Sequence, residues 1–337
     1  MTTLGTVSVG ILSAAHVHAD EYARLLCDRE GAELVGIADE DPNRGRETAD
    51  RHGVEYVPEG DADALLERID GALVCSTNAR HAEWIDRAAD VGVDVLCEKP
   101  LAPSAETARE IVDRWEGSDI GLGVAMPLRF SEPARRAKEA LESDEIGELR
   151  SISGTNRGRM PGGWFVDPDE SGGGAVMDHT VHIVDLVSHL TGERVDEVYA
   201  ETGTRFHDID VEDVNVLSMR LTDGTTFLLD GSWSKPDAWH TWGDATLEFV
   251  GREGTIAVDC FDQSLVHTKA SGEDEGVRSV FCGTDPNAGL LRDFVTSVAD
   301  GYDPAVTPVD ALEAVAVVEA AYESATTDRP VEVSRSS

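Results

Sequence analysis

The chain contains few basic residues, and lysine is the scarcest of them. Against 66 aspartates and glutamates stand 28 lysines and arginines, which gives a formal net charge of -38. The four lysines are Lys99, Lys138, Lys235 and Lys269. This excess of carboxylates repels nucleic acids and anionic membranes, so neither is expected as a partner. Because concentrated salt screens like charges to within about 3 Å at 1 M, the composition predicts a protein of a salt-rich cytoplasm.

Paired cysteines, an export signal and a membrane-length apolar run are also absent from the sequence. The five cysteines, none in a CxxC pair, are Cys27, Cys75, Cys97, Cys260 and Cys282. They are expected to be reduced thiols of a cytosolic protein. Residues 1–10 lack a basic segment followed by an apolar core, and no stretch approaches roughly 18 consecutive apolar residues. A cytoplasmic location is therefore predicted.

The distribution of apolar residues divides the 337-residue chain into two predicted domains, residues 1–123 and 124–337. In the first, short β-branched runs alternate with helical stretches, which is typical of a doubly wound parallel sheet. Its predicted strands are residues 6–12, 34–39, 72–77, 93–98 and 120–125, and its predicted helices are 20–29, 42–52, 62–68, 80–91 and 104–115.

Longer alternating strands with hairpin turns characterise the second predicted domain, which indicates an α+β fold with a large, mainly antiparallel sheet. The predicted strands are residues 214–221, 225–233, 246–250 and 255–259. Helices over residues 173–190, 290–300 and 309–324 are expected on one side of this sheet. The sheet is then half open, and its free face is a candidate subunit interface.

The turn after the first predicted strand is the candidate pyrophosphate site, although it lacks a complete GxGxxG fingerprint. It reads Gly10-Ile11-Leu12-Ser13-Ala14-Ala15-His16. Small residues at Ser13 and Ala15 would keep the backbone accessible to a dinucleotide at a helix start. Gly10, Leu12, Ser13, Ala15 and His16 are the predicted cofactor contacts, with an ordinary tight turn an equally weighted interpretation of the loop alone.

Asp39 ends the second predicted strand, where a carboxylate accepts the ribose 2′-hydroxyl of NAD and repels the phosphate of NADP. NAD is therefore the predicted cofactor. Arg44 and Arg46 leave NADP possible, and capping of the helix that opens at Pro42 is the alternative role for Asp39.

His16 and His18 form an HxH pair that could suggest a metal ion. No third and fourth ligands occur at matching spacing nearby, so no metal site is predicted.

Lys99 follows a buried predicted strand at the sheet edge where ligands of open α/β folds bind. A lysine in a partly desolvated cleft can polarise or protonate a substrate oxygen. A solvent-facing loop lysine is the alternative, but a chain with so few lysines makes a functional role the better interpretation.

A glycine run, Gly172-Gly173-Gly174, precedes a helix with Asp178 and His182 four residues apart on one face. A histidine there suits taking a hydroxyl proton while hydride leaves the same carbon, and the carboxylate can orient the substrate. Asp185 and His189 continue the stripe, so a helix-borne metal site and a solvated polar face are the alternatives.

These motifs resemble the glucose-fructose oxidoreductase, inositol dehydrogenase and rhizopine-catabolism (Gfo/Idh/MocA) family over almost the whole chain. Four segments of the sequence show this resemblance. They are Thr77-Asn78-Ala79-Arg80-His81, Val95-Leu96-Cys97-Glu98-Lys99-Pro100, GGGAVMDHTVHIVDL and the closing PVDALEAVAVVEAAYESATTDRPVEV. Thr180 stands where the family usually has a glycine. The resemblance implies a Rossmann domain followed by a half-open sheet domain.

The resemblance implies that Lys99, Asp178 and His182 are catalytic and that Lys99 and His182 act on the reacting oxygen. Ser76, Thr77, Asn78, His81, Glu98 and Lys99 would contact the cofactor. Substrate contacts are expected from Arg129, Trp164, Asp178, His179 and His182.

The activity implied is hydride transfer between a nicotinamide and a sugar, cyclitol or related polyol carbon. An NAD-using glycosidase and a non-catalytic cofactor sensor are the alternatives; the three proton-transfer groups argue against the sensor. A small polyhydroxy substrate and a homodimer or homotetramer are expected.

Overall fold

A computed structural model describes residues 6–239, 241–272, 275–281 and 283–334. The expectations for residues 1–5 and for Cys282 lie outside this part. The chain falls into two compact units: the first ends at Ala125 and also includes Asn287–Leu312, and the second holds Met126–Pro286 and the chain from Glu313. No helix among the described residues is long and apolar enough to cross a membrane.

The part of the first unit that ends at Ala125 contains six strands and five α-helices. The strands are β1 Val7–Leu12, β2 Ala32–Asp39, β3 Glu55–Pro58, β4 Gly71–Val74, β5 Asp94–Cys97 and β6 Leu122–Val124. The helices are α1 His18–Cys27, α2 Pro42–His52, α3 Ala62–Leu66, α4 His81–Ala89 and α5 Ala105–Glu116. Strand β3 was not predicted from the sequence.

All six strands pair in parallel in the order β3-β2-β1-β4-β5-β6. The order reverses between β1 and β4, which is the switch point where open α/β sheets bind ligands beyond the carboxyl ends of their strands. The predicted parallel sheet is confirmed. It brings the loops after β1, β2, β4 and β5 to the same edge.

The rest of the chain supplies the second sheet and the remaining helices. The strands are β7 Leu149–Thr155, β8 Val195–Gly203, β9 Val214–Leu221, β10 Thr226–Asp230, β11 Thr246–Gly251, β12 Gly254–Asp259, β13 Ser264–Lys269, β14 Gly276–Phe281 and β15 Val331–Glu332. The helices are α6 Glu132–Glu142, α7 Pro168–Ser171, α8 Ala175–Thr191, α9 Pro286–Asp300 and α10 Pro308–Thr327.

The second sheet has the order β14-β13-β12-β11-β7-β10-β9-β8-β15, and its pairs are antiparallel except the parallel pair of β7 and β10. This confirms the predicted mainly antiparallel sheet. Buried and exposed residues alternate along β9 and β10, so one face packs on helices and the other is exposed. Helices α6 and α8 pack against β12 and β9.

Helix α9 differs from the expectation that it would pack on the antiparallel sheet. It belongs to the first unit, where a Cβ on Gly71 of β4 would lie 2.9 Å from the Phe294 ring. A glycine in β4 lets this aromatic ring reach the parallel sheet. Amphipathic periodicity predicts that a helix is packed but not which sheet it covers.

Candidate active site

The loop between β1 and α1 lies at the switch point of the parallel sheet. Ser13 adopts a left-handed conformation with φ of 66°, a region that favours glycine, and its N–H donates to the Ala38 carbonyl at 2.7 Å. Helix α1 begins at His18, whose N–H donates to His16 Nδ1 at 3.3 Å. Backbone N–H groups at such a helix start suit a pyrophosphate, so this loop fits a dinucleotide.

The residues of this loop that were predicted to contact the cofactor differ in how deeply they are buried. Gly10 lies inside β1, where an added Cβ would approach the Ile69 side chain to 2.8 Å, so this glycine serves the packing of the sheet. Leu12 is buried in the core. Ala15 is half-buried, and its N–H donates to the Ser13 hydroxyl at 3.2 Å. Ser13, Ala15 and the start of α1 therefore form the part of the loop with small or exposed groups.

Asp39 ends β2 beside this loop, where the sequence predicted the ribose contact. Its carboxylate accepts the Ala14 N–H at 2.6 Å and is almost fully buried. The capping alternative belongs to Asp41, whose side chain accepts the N–H groups of Asn43 and Arg44 at the start of α2. Asp39 therefore does not cap α2, and its carboxylate instead holds the β1–α1 loop through the Ala14 N–H.

Glu98 is the centre of a buried polar group that we name the Glu98 cluster, comprising Glu98, His16, His18 and Tyr22. Its Oε1 accepts the Tyr22 hydroxyl at 2.7 Å and lies 2.9 Å from His18 Nδ1 and 3.5 Å from His16 Nδ1. Burial alone would raise the pKa of the Glu98 carboxyl, but the imidazoles of His16 and His18 hold that pKa well below its usual range. Glu98 is therefore a carboxylate fixed against α1.

The Glu98 cluster also bears on the expectation that the HxH pair lacks a third metal ligand. One ligand atom from each of His16, His18 and Glu98 lies within 4.8 Å of the others. Glu98 is 80 residues from His18 along the chain, so sequence spacing could not reveal it. Tyr22, His18 and the Lys99 N–H already donate to this carboxylate, and these hydrogen bonds account for the grouping.

The remaining predicted cofactor residues lie after β4 and β5 of the same sheet. Ser76, Thr77 and Asn78 are buried in the loop that follows β4. His81 Nδ1 lies 2.9 Å from the Pro100 carbonyl, and burial lowers the pKa of this imidazole. His81 thereby ties α4 to the segment after β5, and Lys99 of that segment is almost fully buried.

In the second unit, the glycine run before α8 is explained by two close contacts. A Cβ on Gly173 would lie 2.0 Å from the Tyr322 hydroxyl, and one on Gly174 would lie 2.1 Å from the Glu212 carbonyl. The Glu212 carboxylate accepts the Val176 N–H at 3.0 Å and the Tyr322 hydroxyl at 2.9 Å. Glycine lets α10 and the 212 segment fix the start of α8, and Glu212 satisfies its free N–H groups.

Asp178 lies in the first turn of α8 with two polar neighbours, and we name Asp178, His179 and Trp233 the Asp178 cluster. Its Oδ2 accepts the Trp233 indole N–H at 3.0 Å and lies 3.2 Å from His179 Nε2. His179 Nδ1 is 2.9 Å from the Gly231 carbonyl. The carboxylate is therefore oriented by two side chains that are themselves held in place.

The hydrogen bonds of His179 constrain where its protons lie. A carbonyl oxygen only accepts, so Nδ1 must donate to Gly231. Nε2 lies 3.2 Å from the Asp178 carboxyl, so one further proton, carried by the imidazole or by the carboxyl, completes a hydrogen bond between them. His179 and Asp178 thus share one proton between them.

The polar residues predicted along one face of α8 lie in different environments. His182 is half-buried one turn beyond Asp178. Asp185 forms a buried bidentate ion pair with the Arg129 guanidinium, with Arg129 Nε to Oδ2 at 2.8 Å. His189 Nε2 lies 3.3 Å from Lys138 Nζ. Arg129, a predicted substrate contact, is thus engaged in anchoring α8.

Trp164, the remaining predicted substrate residue, lies in the apolar packing near the Asp178 cluster. Trp164 is stacked on Phe165 at 3.9 Å between ring centroids, and Phe165 belongs to a buried apolar cluster that includes Trp233. Arg157 is held by Asp244, with Nη2 to Oδ2 at 2.8 Å. Trp164 thus covers the buried cluster that contains the indole donor to Asp178.

Several residues that shape these clusters were not singled out from the sequence. They are Tyr22, Glu212, Trp233 and Tyr322. His18 and Tyr22 are four residues apart on α1, a spacing that places them on one helix face. For Glu212 and Trp233 no local signal exists, because their partners lie 36 and 55 residues away.

Fold and site together define the class of protein: an oxidoreductase with a dinucleotide-binding unit. Residues 7–125 match the oxidoreductase family model with an NAD-binding Rossmann fold, and residues 134–257 match the GFO/IDH/MocA C-terminal domain model. D-xylose 1-dehydrogenase (NADP(+)) 2 from Haloferax volcanii is 30% identical and covers 98% of each chain. The chain belongs to the Gfo/Idh/MocA family of oxidoreductases.

Two further proteins show the extent of the similarity. Myo-inositol 2-dehydrogenase from Thermotoga maritima is 27% identical over 98% of each chain. The solved structure of an oxidoreductase from Agrobacterium radiobacter, in complex with NAD+, L-tartaric acid and magnesium, has a TM-score of 0.86. It is 23% identical and covers 97% of this chain and 98% of that one, a similarity that concerns the fold.

Proposed function

We propose that this chain oxidises a hydroxyl-bearing carbon of a sugar, cyclitol or related polyol with NAD or NADP as hydride acceptor. The observation that carries the proposal is the Asp178 cluster, a buried carboxylate oriented on α8 by Trp233 and His179. A carboxylate held in this way can accept hydrogen bonds from substrate hydroxyls. The dehydrogenases to which the chain is similar act on compounds rich in hydroxyls.

The bound nicotinamide supplies the hydride acceptor. In the proposed reaction, His182 takes the hydroxyl proton as the carbon loses its hydride, and a C=O bond replaces the C–O bond. Lys99 stabilises the charge that develops on the reacting oxygen. Asp178 holds a neighbouring hydroxyl and fixes the position of the reacting carbon.

Cofactor reduction provides the test of this activity. The purified chain in multimolar KCl is offered aldoses, inositols and sugar acids with NAD and with NADP, and NAD(P)H absorbance is recorded. One substrate class is expected to give reduction that His182→Ala and Lys99→Ala lower by at least about 100-fold.

His189→Ala is the matched control on the same helix, because His189 contacts Lys138 away from the Asp178 cluster. Equal activity of the wild type and His182→Ala would contradict the proposal. Cofactor binding without net reduction of any substrate would favour a glycosidase that regenerates its cofactor, or a sensor.

We also propose that residues 1–123 carry the cofactor site and that residues 124–337 carry the substrate site and the assembly surface, in a cytoplasmic, salt-adapted homo-oligomer. Val216 and Leu228 are exposed apolar residues on β9 and β10, and an exposed apolar face suits a subunit interface. Light scattering in KCl is expected to give the mass of a dimer or tetramer. A monomer at micromolar concentration would contradict this assembly.

A further inference from the structure

Two glycines hold the segment before β11 against the segment after β7. Gly158 and Gly243 face each other in an isolated antiparallel bridge. Beside the bridge, the Arg159 N–H donates to the Trp242 carbonyl at 3.2 Å. A Cβ on Gly243 would lie 2.2 Å from the Arg157 carbonyl, so a larger residue there would push the two segments apart. The close pairing therefore fixes where Trp242 stands.

This pairing brings the Trp242 indole next to the Asp178 cluster. The point where a Cβ on Gly158 would stand lies 3.0 Å from His179 Nε2 and 3.3 Å from Trp242 Nε1. His179 Nε2 in turn lies 3.2 Å from Asp178 Oδ2. The indole nitrogen and the oriented carboxylate group therefore lie near the same imidazole nitrogen.

The Trp242 side chain has groups available for a ligand. The residue is 46% exposed, although its indole nitrogen lies beside the Asp178 cluster. Among the residues that the structure describes, none accepts a hydrogen bond from this indole N–H. A partly exposed indole beside polar groups presents a flat apolar ring and one donor to a ligand.

Trp239 is the other exposed tryptophan of this segment, and its ring already has a partner within the protein. Lys235 Nζ lies 3.9 Å from the centroid of that ring and 2.7 Å from Asp244 Oδ2. An ammonium held over an aromatic ring occupies a face on which a ligand would otherwise stack. Of these two tryptophans, Trp242 is therefore the one suited to bind a ligand through its ring.

We propose that Trp242 is a substrate-binding residue that stacks on the ring of a cyclic polyol and so favours pyranoses and cyclitols over open-chain polyols. The C–H groups on one face of such a ring form a flat apolar surface that matches an indole, whereas an open chain must lose rotational freedom to present one. Hydroxyls at the edge of the ring then reach the Asp178 carboxylate. The inference rests on the proposed function, because it needs the substrate at the Asp178 cluster.

Calorimetric titration of the chain loaded with NADH measures the binding of polyols without turnover, because no hydride acceptor is present. The probes are myo-inositol, a ring, and D-glucitol, an open chain that also carries one hydroxyl on every carbon. D-xylose and xylitol form a second pair. The wild type is expected to bind the rings more tightly. Trp242→Ala should weaken the rings by at least about tenfold and leave the open chains within about twofold.

Phe261→Ala is the matched control for the loss of an exposed aromatic ring from the same unit. Phe261 is 38% exposed in the turn between β12 and β13, and its loss should leave all four affinities unchanged. Trp242→Leu keeps an apolar side chain without a ring and should act like Trp242→Ala. Circular dichroism checks that each variant is folded. If Trp242→Ala is unfolded, the ratio of ring to open-chain affinity in Trp242→Leu decides.

Three results would overturn the inference. An unchanged ratio of the two affinities in folded Trp242 variants would show that this indole does not contact the substrate ring. Equal affinity of the wild type for rings and open chains would remove the selection, and binding of neither ring would remove the subsite. NAD reduction by open-chain polyols alone would then leave the proposed activity standing. Ring binding that depends on Trp242, without any reduction of NAD, would support the inference and contradict the proposed dehydrogenase.

Discussion

The Trp233 indole N–H is one of the few donors that orient the Asp178 carboxylate, so removing this donor should lower the rate of turnover. Trp233→Phe removes the indole N–H that donates to Asp178 Oδ2 and keeps an aromatic ring in the same pocket. We expect kcat/KM to fall by about 10- to 100-fold, the effect of one hydrogen bond to a charged group.

Trp84→Phe provides the control for this change. Trp84 is also fully buried, and its indole nitrogen has no hydrogen-bond partner among the described residues. The two variants should lose similar stability in thermal unfolding, whereas only Trp233→Phe should lose activity. A parallel loss of activity in both would mean that Trp233 acts through packing alone.

Glu98 should contribute stability that disappears in acid. Its pKa is depressed in the folded chain, so the contribution is present above the unfolded value of about 4.3 and is lost as pH falls below it. Glu98→Gln should cost roughly 2 kcal/mol of unfolding free energy at neutral pH.

The Tm difference between wild type and Glu98→Gln, followed from pH 7 downward, measures this contribution. It should narrow once the pH falls below about 4.3. A difference that is constant with pH would show that the glutamine disturbs packing rather than removing a buried charge.

For individual residues, the sequence indicated which side chains carry the chemistry more reliably than which residues they pair with in the fold. Lys99, Asp178 and His182 could be singled out because short motifs carry them. Arg129 was predicted to contact substrate, yet its partner Asp185 lies 56 residues away and holds it in a buried ion pair. Residue type and spacing do not encode such long-range pairing.

Among the secondary-structure elements, the start of α8 is the most constrained by its neighbours. Gly174→Ala would place a Cβ 2.1 Å from the Glu212 carbonyl, which is backbone and must shift. We expect a loss of about 2 kcal/mol in unfolding free energy. Denaturant titration measures the loss.

Gly60→Ala is the control for this substitution, because its added Cβ would meet no atom within 4 Å. It should leave the unfolding free energy nearly unchanged. Equal stability of Gly174→Ala and Gly60→Ala would mean that the contact between Gly174 and the 212 segment does not fix α8.

Elements with strong periodicity and turn residues were predictable from the sequence. Helix α2 was placed at its observed bounds because Asp41, Pro42 and Gly53 mark its ends. Strand β3 was missed because its four residues include one that is buried, too little for a periodic signal. The assignment of α9 to a sheet depended on the contact of Phe294 with Gly71, which no local pattern contains.

For the whole molecule, the charge of -38 should make stability depend on salt. Repulsion between carboxylates falls as ionic strength rises, so the Tm should increase continuously from dilute buffer to multimolar KCl. NaCl at the same concentration should raise the Tm by a similar amount, because screening depends on ionic strength. A Tm that is independent of salt would contradict adaptation to a salt-rich cytoplasm.

Net hydride transfer from a polyol carbon to the cofactor is tested most directly by the stoichiometry of that reaction. With the substrate class found by screening, NAD(P)H and the oxidised product are quantified over many turnovers. The account predicts one NAD(P)H per product molecule in the wild type and none above background in His182→Ala. Product formed without accumulation of NAD(P)H would contradict it.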